Sequence, residues 1–156
     1  MARIELRTFI RAPRERVWGI ITDLSGQHRW MEDVHRLEVV SEVRTGVGTL
    51  IDVTSKLFGL PVLHDVMEIV TWDEPRELEV VHGGGFTGSG RFSLEEALAG
   101  TIFIWEEVFN PPLGPLGELA ATIVVAPHLR RVWARSMDNV RRLAEAGYPR
   151  QPKAFP

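Results

Sequence analysis

The C-terminal part of the chain carries one long amphipathic helix pattern, and it follows a run of short strand patterns. Apolar residues recur at the helical period over residues 113–146, and arginines occupy the opposite side. The inward stripe comprises Leu129, Val132, Trp133, Ser136, Met137, Val140, Leu143 and Ala144. Pro127 has no backbone N–H to donate, so we expect a kink or break there. A single helix is too narrow to cover a wide sheet, and we therefore expect the sheet to curve around the helix.

The strand patterns are short and closely connected. They occupy residues 4–10, 37–41, 49–57, 63–72, 78–82, 86–94 and 101–109. Gly, Pro and Asp separate most of them, which is typical of an antiparallel meander. After the first strand, Ala12-Pro13 starts a short helix that places Val17, Trp18, Ile20 and Ile21 on one face. A second short amphipathic segment carries Trp30 and Met31.

Composition excludes several classes of site. The 156 residues predict one domain over residues 1–147, followed by an irregular proline-containing tail at 148–156. A formal net charge of −3 gives no drive toward nucleic acid, and the absence of cysteine excludes disulfides and thiolate nucleophiles. No apolar run reaches the roughly 18 residues of a membrane span, and the charged start lacks a signal-peptide core. We expect a cytoplasmic protein without stable membrane insertion.

Two strands carry titratable side chains among apolar neighbours. One face of residues 101–109 comprises Phe103, Trp105, Glu107 and Phe109, while His82 shares a face with Leu78 and Val80. A His82–Glu107 pair across neighbouring strands could transfer protons near neutral pH, which makes these two residues the catalytic candidates. The alternative is a structural, hydrogen-bonded histidine with a glutamate that reaches water. The five histidines lack metal-ligand spacing, and we expect neither a metal nor a cofactor.

The orientation of residues 63–72 is ambiguous because both faces are equally apolar. One face carries His64, Val66, Glu68 and Val70, and the other carries Leu63, Asp65, Met67 and Ile69. The pattern leaves both orientations open. The glycine-rich run at 82–90 is followed by another strand, so it predicts a wide, bulged hairpin. A phosphate loop would need a helix there.

This order of elements resembles the START and polyketide-cyclase superfamily, SRPBCC. The elements that carry the resemblance are the first strand, the Ala12-Pro13 turn with its helix, the Trp30-Met31 segment and the long C-terminal helix. The resemblance spans residues 3–146. It implies an α+β helix-grip fold, in which a curved antiparallel sheet of about seven strands wraps around the long C-terminal helix. Two short helices follow the first strand. It also implies an internal cavity for a small hydrophobic molecule.

The resulting functional prediction is binding of a small hydrophobic or aromatic ligand, lipid-like or polyketide-like. One alternative is a polyketide cyclase/dehydratase-type enzyme that folds its substrate with His and Glu assistance. The only tyrosine, Tyr148, lies in the tail, which favours binding. A second alternative is a protein-interaction module, which needs an exposed apolar patch. Monomer and homodimer both stay open. The predicted cavity wall comprises Trp30, His64, Glu68, His82, Phe92, Phe103, Trp105, Glu107, Phe109, Trp133 and Met137.

Overall fold

Seven strands form one antiparallel sheet in a computed structural model that describes residues 1–84 and 86–147. The order across the sheet is β1-β7-β6-β5-β4-β3-β2. The strands are β1 (Ala2–Ile10), β2 (Val34–Val39), β3 (Leu50–Leu57), β4 (Leu60–Asp73), β5 (Glu77–Gly83), β6 (Thr87–Ala97) and β7 (Gly100–Asn110). Each neighbouring pair except β1–β7 is consecutive in sequence, as the meander pattern predicts. The glycine-rich run joins β5 to β6, whose pairing from Glu77 to Gly83 is regular and without the expected bulge.

Two short helices connect β1 to β2. Helix α1 (Arg14–Ile21) follows Pro13, which occupies the N-cap position, and buries Val17, Trp18 and Ile21. A 3₁₀ helix spans Leu24–Arg29, and the Asp23 side chain accepts a hydrogen bond from the Gly26 N–H at its start. The same N–H also bonds to the Asp23 carbonyl, so the side chain adds a second acceptor at the start of the helix. Two short helices are therefore present, as predicted, and Trp30 and Met31 lie directly after the second one.

The C-terminal helix contains a change of winding directly before Pro127. It runs as α2 (Gly114–Ala120), one π-helical turn (Ala121–Val125) and α3 (Ala126–Glu145). The Ala126 N–H bonds to the carbonyl of Ala121, five residues back. Because Pro127 cannot donate to the preceding turn, a widened turn occupies the place where the sequence predicts a break.

The two halves of this helix face different interiors. In α3 the stripe is buried as predicted at Leu129, Val132, Trp133, Ser136, Met137, Val140 and Ala144. Leu143 is the exception, since it is 43% exposed. Toward the N-terminal half, residues spaced four apart along the helix line a cavity: Gly117, Ala121, Val125, Leu129 and Trp133. The space between sheet and helix is therefore filled by core side chains at one end of the helix and open as a cavity at the other.

The helix-grip prediction is confirmed by this architecture. The predicted tail at 148–156 lies outside the described residues, and the single domain over 1–147 stays a prediction. Among the described residues, no helix is long and apolar enough to cross a bilayer.

Candidate functional site

A cavity of about 350 Å³ lies between the concave face of the sheet and the N-terminal half of the C-terminal helix. Its wall is mostly apolar and draws on strands β2 to β7, the 3₁₀ region and the C-terminal helix. Apolar wall residues include Met31, Leu37, Ile51, Val53, Leu63, Met67, Leu78, Val80, Phe92, Trp105, Phe109 and Trp133. This volume falls within the range of small-molecule pockets, and a mostly apolar wall is typical of them.

Six of the residues that the sequence places in the wall line this cavity. They are His82, Phe92, Trp105, Glu107, Phe109 and Trp133. The aromatic face of β7 therefore points inward, as its alternation predicts. Whether these residues contact a ligand stays a prediction.

Three other predicted wall residues lie in the filled core instead. Trp30, Phe103 and Met137 are each at most 2% exposed and do not border the cavity. The Trp30 ring packs against Phe92, with 5.9 Å between ring centroids, and thereby closes the space behind the wall. The correction has a simple cause: an inward apolar residue borders the cavity only where the helix leaves space, and periodicity cannot locate that space.

His64 and Glu68 are corrected for a different reason. Both are exposed on the outer face of β4, where His64 Nε2 lies 2.8 Å from Asp52 Oδ1. The opposite face points inward and brings Leu63, Asp65 and Met67 to the cavity. The sequence pattern left this orientation open, and the structure assigns it to the face that carries Asp65.

A buried cluster of three titratable side chains forms the polar part of the wall. His82 Nδ1 lies 2.6 Å from Asp65 Oδ2, and His82 Nε2 lies 3.1 Å from Glu107 Oε2. Glu107 also accepts a hydrogen bond from the Trp105 indole at 3.0 Å. All three charged side chains are at most 16% exposed. Both ring nitrogens of His82 are therefore occupied by carboxylates.

The absence of a side chain at Gly90 allows His82 and Glu107 to meet. His82 on β5 pairs with Gly88, and Glu107 on β7 pairs with Gly90, so the two side chains lie on either side of β6. A Cβ on Gly90 would lie 2.5 Å from the Glu107 carboxylate. The side chains thus make contact across the bare backbone of β6. The sequence pattern predicted a pair across neighbouring strands, whereas β6 separates their strands.

The environment of His82 favours its protonated form. Burial by itself lowers the pKa of His82, but the hydrogen bonds and negative charges of Glu107 and Asp65 outweigh that effect and raise it to about 9. His82 is therefore an imidazolium at neutral pH and donates to both carboxylates. This contradicts the expectation of a histidine that exchanges protons near neutrality.

A fourth titratable side chain, Asp33, lies in the same wall and is not identified by the sequence pattern. Its Oδ2 accepts from the Trp133 indole at 2.9 Å, and the residue is 8% exposed. Burial raises the pKa of Asp33, against the hydrogen bonds from Trp133 and from its own backbone N–H, and the Glu107 charge adds to the rise. The Trp133 ring stacks on Trp105 at 5.0 Å, so a stacked indole pair joins the two carboxylates.

Asp33 and Asp65 have weak sequence signals. Asp65 belongs to the alternative face of β4, so the correct orientation would have identified it. Asp33 precedes β2 in an irregular segment with no periodicity, and its role depends on a contact with Trp133 one hundred residues away. In the described part of the chain, no group of three His, Asp or Glu side chains has the arrangement of a metal site.

Exposed apolar side chains lie on elements that border the cavity. Leu113 lines the cavity and is nevertheless 84% exposed, so the cavity reaches solvent beside the start of α2. Leu116 and Leu119 on α2 and Phe58 and Leu60 in the β3–β4 hairpin are also exposed. Exposed apolar side chains of this kind are what the interaction-module alternative needs.

Both the sequence and the fold are similar to those of known proteins. A family model described as polyketide cyclase / dehydrase and lipid transport matches residues 1–145. A protein from Thermus thermophilus, known from a crystal structure, is 20% identical, with a TM-score of 0.79 over 95% of this chain and 100% of its own. The Aha1 dimer from Colwellia psychrerythraea is 17% identical, with a TM-score of 0.65 over 96% of this chain and 100% of its own. At these identities the structural likeness establishes the fold alone. None of the curated proteins matches this sequence.

Proposed function

Because the chain belongs to the polyketide cyclase / dehydrase and lipid transport family, we propose that it binds a small hydrophobic or aromatic molecule in its internal cavity. The observation that carries this proposal is the 350 Å³ apolar cavity that opens beside Leu113. Moving an apolar molecule from water into such a space is favourable in proportion to the apolar area that is buried. A lipid-like or polyketide-like skeleton has the required character. A cytoplasmic location stays a prediction.

Titration with N-phenyl-1-naphthylamine, a neutral dye whose emission rises in apolar surroundings, tests the proposal. We expect saturable binding to the folded protein at about one dye per chain. We also expect competition by an unlabelled aromatic hydrocarbon of similar size. Absence of saturable binding, with the protein shown to be folded by circular dichroism, would contradict the proposal.

The enzyme alternative is supported less well by the site. His82 holds its proton at neutral pH because Asp65 and Glu107 flank it, and a permanently protonated group is a poor general base there. An imidazolium held by two carboxylates acts better as a fixed part of the wall than as a proton carrier. A catalytic role for His82 and Glu107 thus ranks behind binding.

A second candidate function is protein interaction through the rim of the cavity. The exposed leucines at 113, 116 and 119 favour it, since contiguous exposed apolar side chains commonly mark contact surfaces. Sedimentation velocity over a wide protein concentration range tests for self-association through this rim. A concentration-dependent dimer that Leu116→Glu abolishes would support it, and a monomer at all concentrations would speak against this mode of association.

A further inference from the structure

The charges around the cavity are unbalanced toward the negative side. Asp33, Asp65 and Glu107 contribute three carboxyl groups to the wall, and His82 contributes the single cationic group. Among the described residues, no lysine or arginine lines the cavity, and the positive charge of Lys56, outside the wall, only partly opposes the rise in the pKa of Asp33. An anionic ligand would therefore be repelled by the carboxylates, because the only imidazolium in the wall, His82, is already hydrogen-bonded to Asp65 and Glu107. A ligand that brings its own positive charge would complete the site.

One carboxylate oxygen is buried without a partner. Asp33 Oδ2 is bound by Trp133, but no other residue in the described part of the chain donates to Asp33 Oδ1. The residue is 8% exposed and borders the cavity. A buried acceptor without a donor destabilises a folded protein, and a donor from a ligand removes that penalty. Asp65 Oδ1 is buried and unpartnered as well.

The unpartnered oxygen lies beside a flat apolar surface. Trp133, which holds Asp33, stacks on Trp105 with an angle of 21° between the ring planes. Trp105 in turn holds Glu107. The site therefore combines aromatic surface with carboxylate acceptors in one wall.

We infer that the ligand is a flat apolar molecule bearing a basic amine, whose ammonium group binds Asp33 at the end of the stacked Trp105–Trp133 pair. This inference rests on the proposed function and narrows its ligand class. Charge-assisted hydrogen bonds between ammonium and carboxylate are stronger than those between neutral groups. Fatty-acid and phosphate-bearing lipids are disfavoured by the same groups.

Three probes of nearly equal size test the inference: 1-naphthylmethylamine, 1-naphthylmethanol and 1-naphthoate. Their affinities at neutral pH are measured by isothermal titration calorimetry. We expect the amine to bind about tenfold or more tightly than the alcohol, and the carboxylate to bind most weakly. Equal affinities for all three, or tightest binding of the carboxylate, would overturn the inference. Those outcomes would leave the proposed function intact, whereas failure of all three probes and of N-phenyl-1-naphthylamine would overturn both.

Two aspartate variants locate the effect. Asp33→Asn is expected to reduce the amine-to-alcohol preference to about threefold or less, because it removes the charge and keeps the shape. Asp52→Asn, on the outer face of the sheet beside His64, is the matched control and should keep the full preference. An unchanged preference in folded Asp33→Asn would overturn the assignment to Asp33. If Asp33→Asn fails to fold, the pH dependence of binding to the unaltered protein decides the question. An amine-to-alcohol preference that is lost as the pH falls and Asp33 takes up a proton supports the inference, and a preference that stays constant down to about pH 4 overturns it.

Discussion

His82 and Glu107 contact each other across the backbone of a strand to which neither belongs. Their side chains project from β5 and β7, and Gly90 on the intervening β6 leaves the space beside the Glu107 carboxylate open. Asp65 Oδ2 lies 2.6 Å from the other ring nitrogen of His82. This arrangement places a fixed charged cluster in a mostly apolar wall, and the cluster depends on the absence of a side chain at Gly90.

The raised pKa of His82 predicts a pH-dependent contribution to stability. The pKa is 6.5 for an unperturbed histidine and about 9 in the folded protein. The contribution is therefore complete below pH 6.5 and is lost as the pH rises through about 9. We expect the stability difference between the unaltered protein and His82→Asn to shrink by roughly 2–3 kcal/mol over that window. Urea unfolding across the window measures it.

His35→Asn is the control for this measurement, because His35 on β2 is exposed and, among the described residues, has no carboxylate partner. Its stability difference should stay nearly constant over the same window. A constant difference for His82→Asn as well would show that the cluster does not hold a proton on His82.

Gly90→Ala is expected to disrupt the cluster. Its Cβ would lie 2.5 Å from the Glu107 carboxylate, which must then move away from His82 and Trp105. We expect a loss of about 1–2 kcal/mol of unfolding free energy and a lower His82 pKa by NMR titration. Gly19→Ala in α1, where a Cβ meets nothing within 4 Å, should be neutral or stabilising. Equal behaviour of the two variants would refute the steric role of Gly90.

Asp33→Asn is expected to stabilise the protein while it weakens the site. Burial raises the pKa of Asp33, so the folded protein is destabilised when this carboxylate ionises, above the ordinary aspartate pKa of 3.8. We expect Asn to gain about 1 kcal/mol at neutral pH, and the gain to disappear as the pH falls toward 3.8. Thermal unfolding at several pH values checks this. A variant that is less stable at neutral pH would contradict it.

Trp105→Phe tests whether Trp105 contributes to ligand binding in addition to stability. It keeps an aromatic ring but removes the N–H that binds Glu107 and part of the surface stacked on Trp133. We expect dye affinity to fall several-fold, with about 1–2 kcal/mol lost in stability. Phe103→Leu, in the filled core, should cost similar stability and leave dye affinity unchanged. Unchanged affinity in Trp105→Phe would remove this residue from the binding surface.

The fold follows from the sequence because its signals are local. Each of several patterns predicts one element without reference to the rest of the chain. They are the alternation in β1 and β7, Pro13 at the start of α1, and the apolar stripe from Leu129 to Ala144. The cavity wall depends on contacts between distant elements, which periodicity does not encode. Both faces of β4 are apolar, so the pattern does not decide which face points inward. The orientation of the strand alone determines whether His64 or Asp65 lies toward the cavity. Asp33 has no periodic neighbours, and its partner Trp133 lies on another element.

The central claim, that the interior is an accessible binding cavity, is tested most directly by filling it. Val80 lines the cavity, and its neighbour Val81 on the same strand points outward. N-phenyl-1-naphthylamine is titrated into Val80→Trp and Val81→Trp, with cooperative unfolding confirmed for both. Val80→Trp should bind the dye at least tenfold more weakly, because the indole occupies the space, and Val81→Trp should bind it like the unaltered protein. Dye affinity that is unchanged in folded Val80→Trp would contradict the claim.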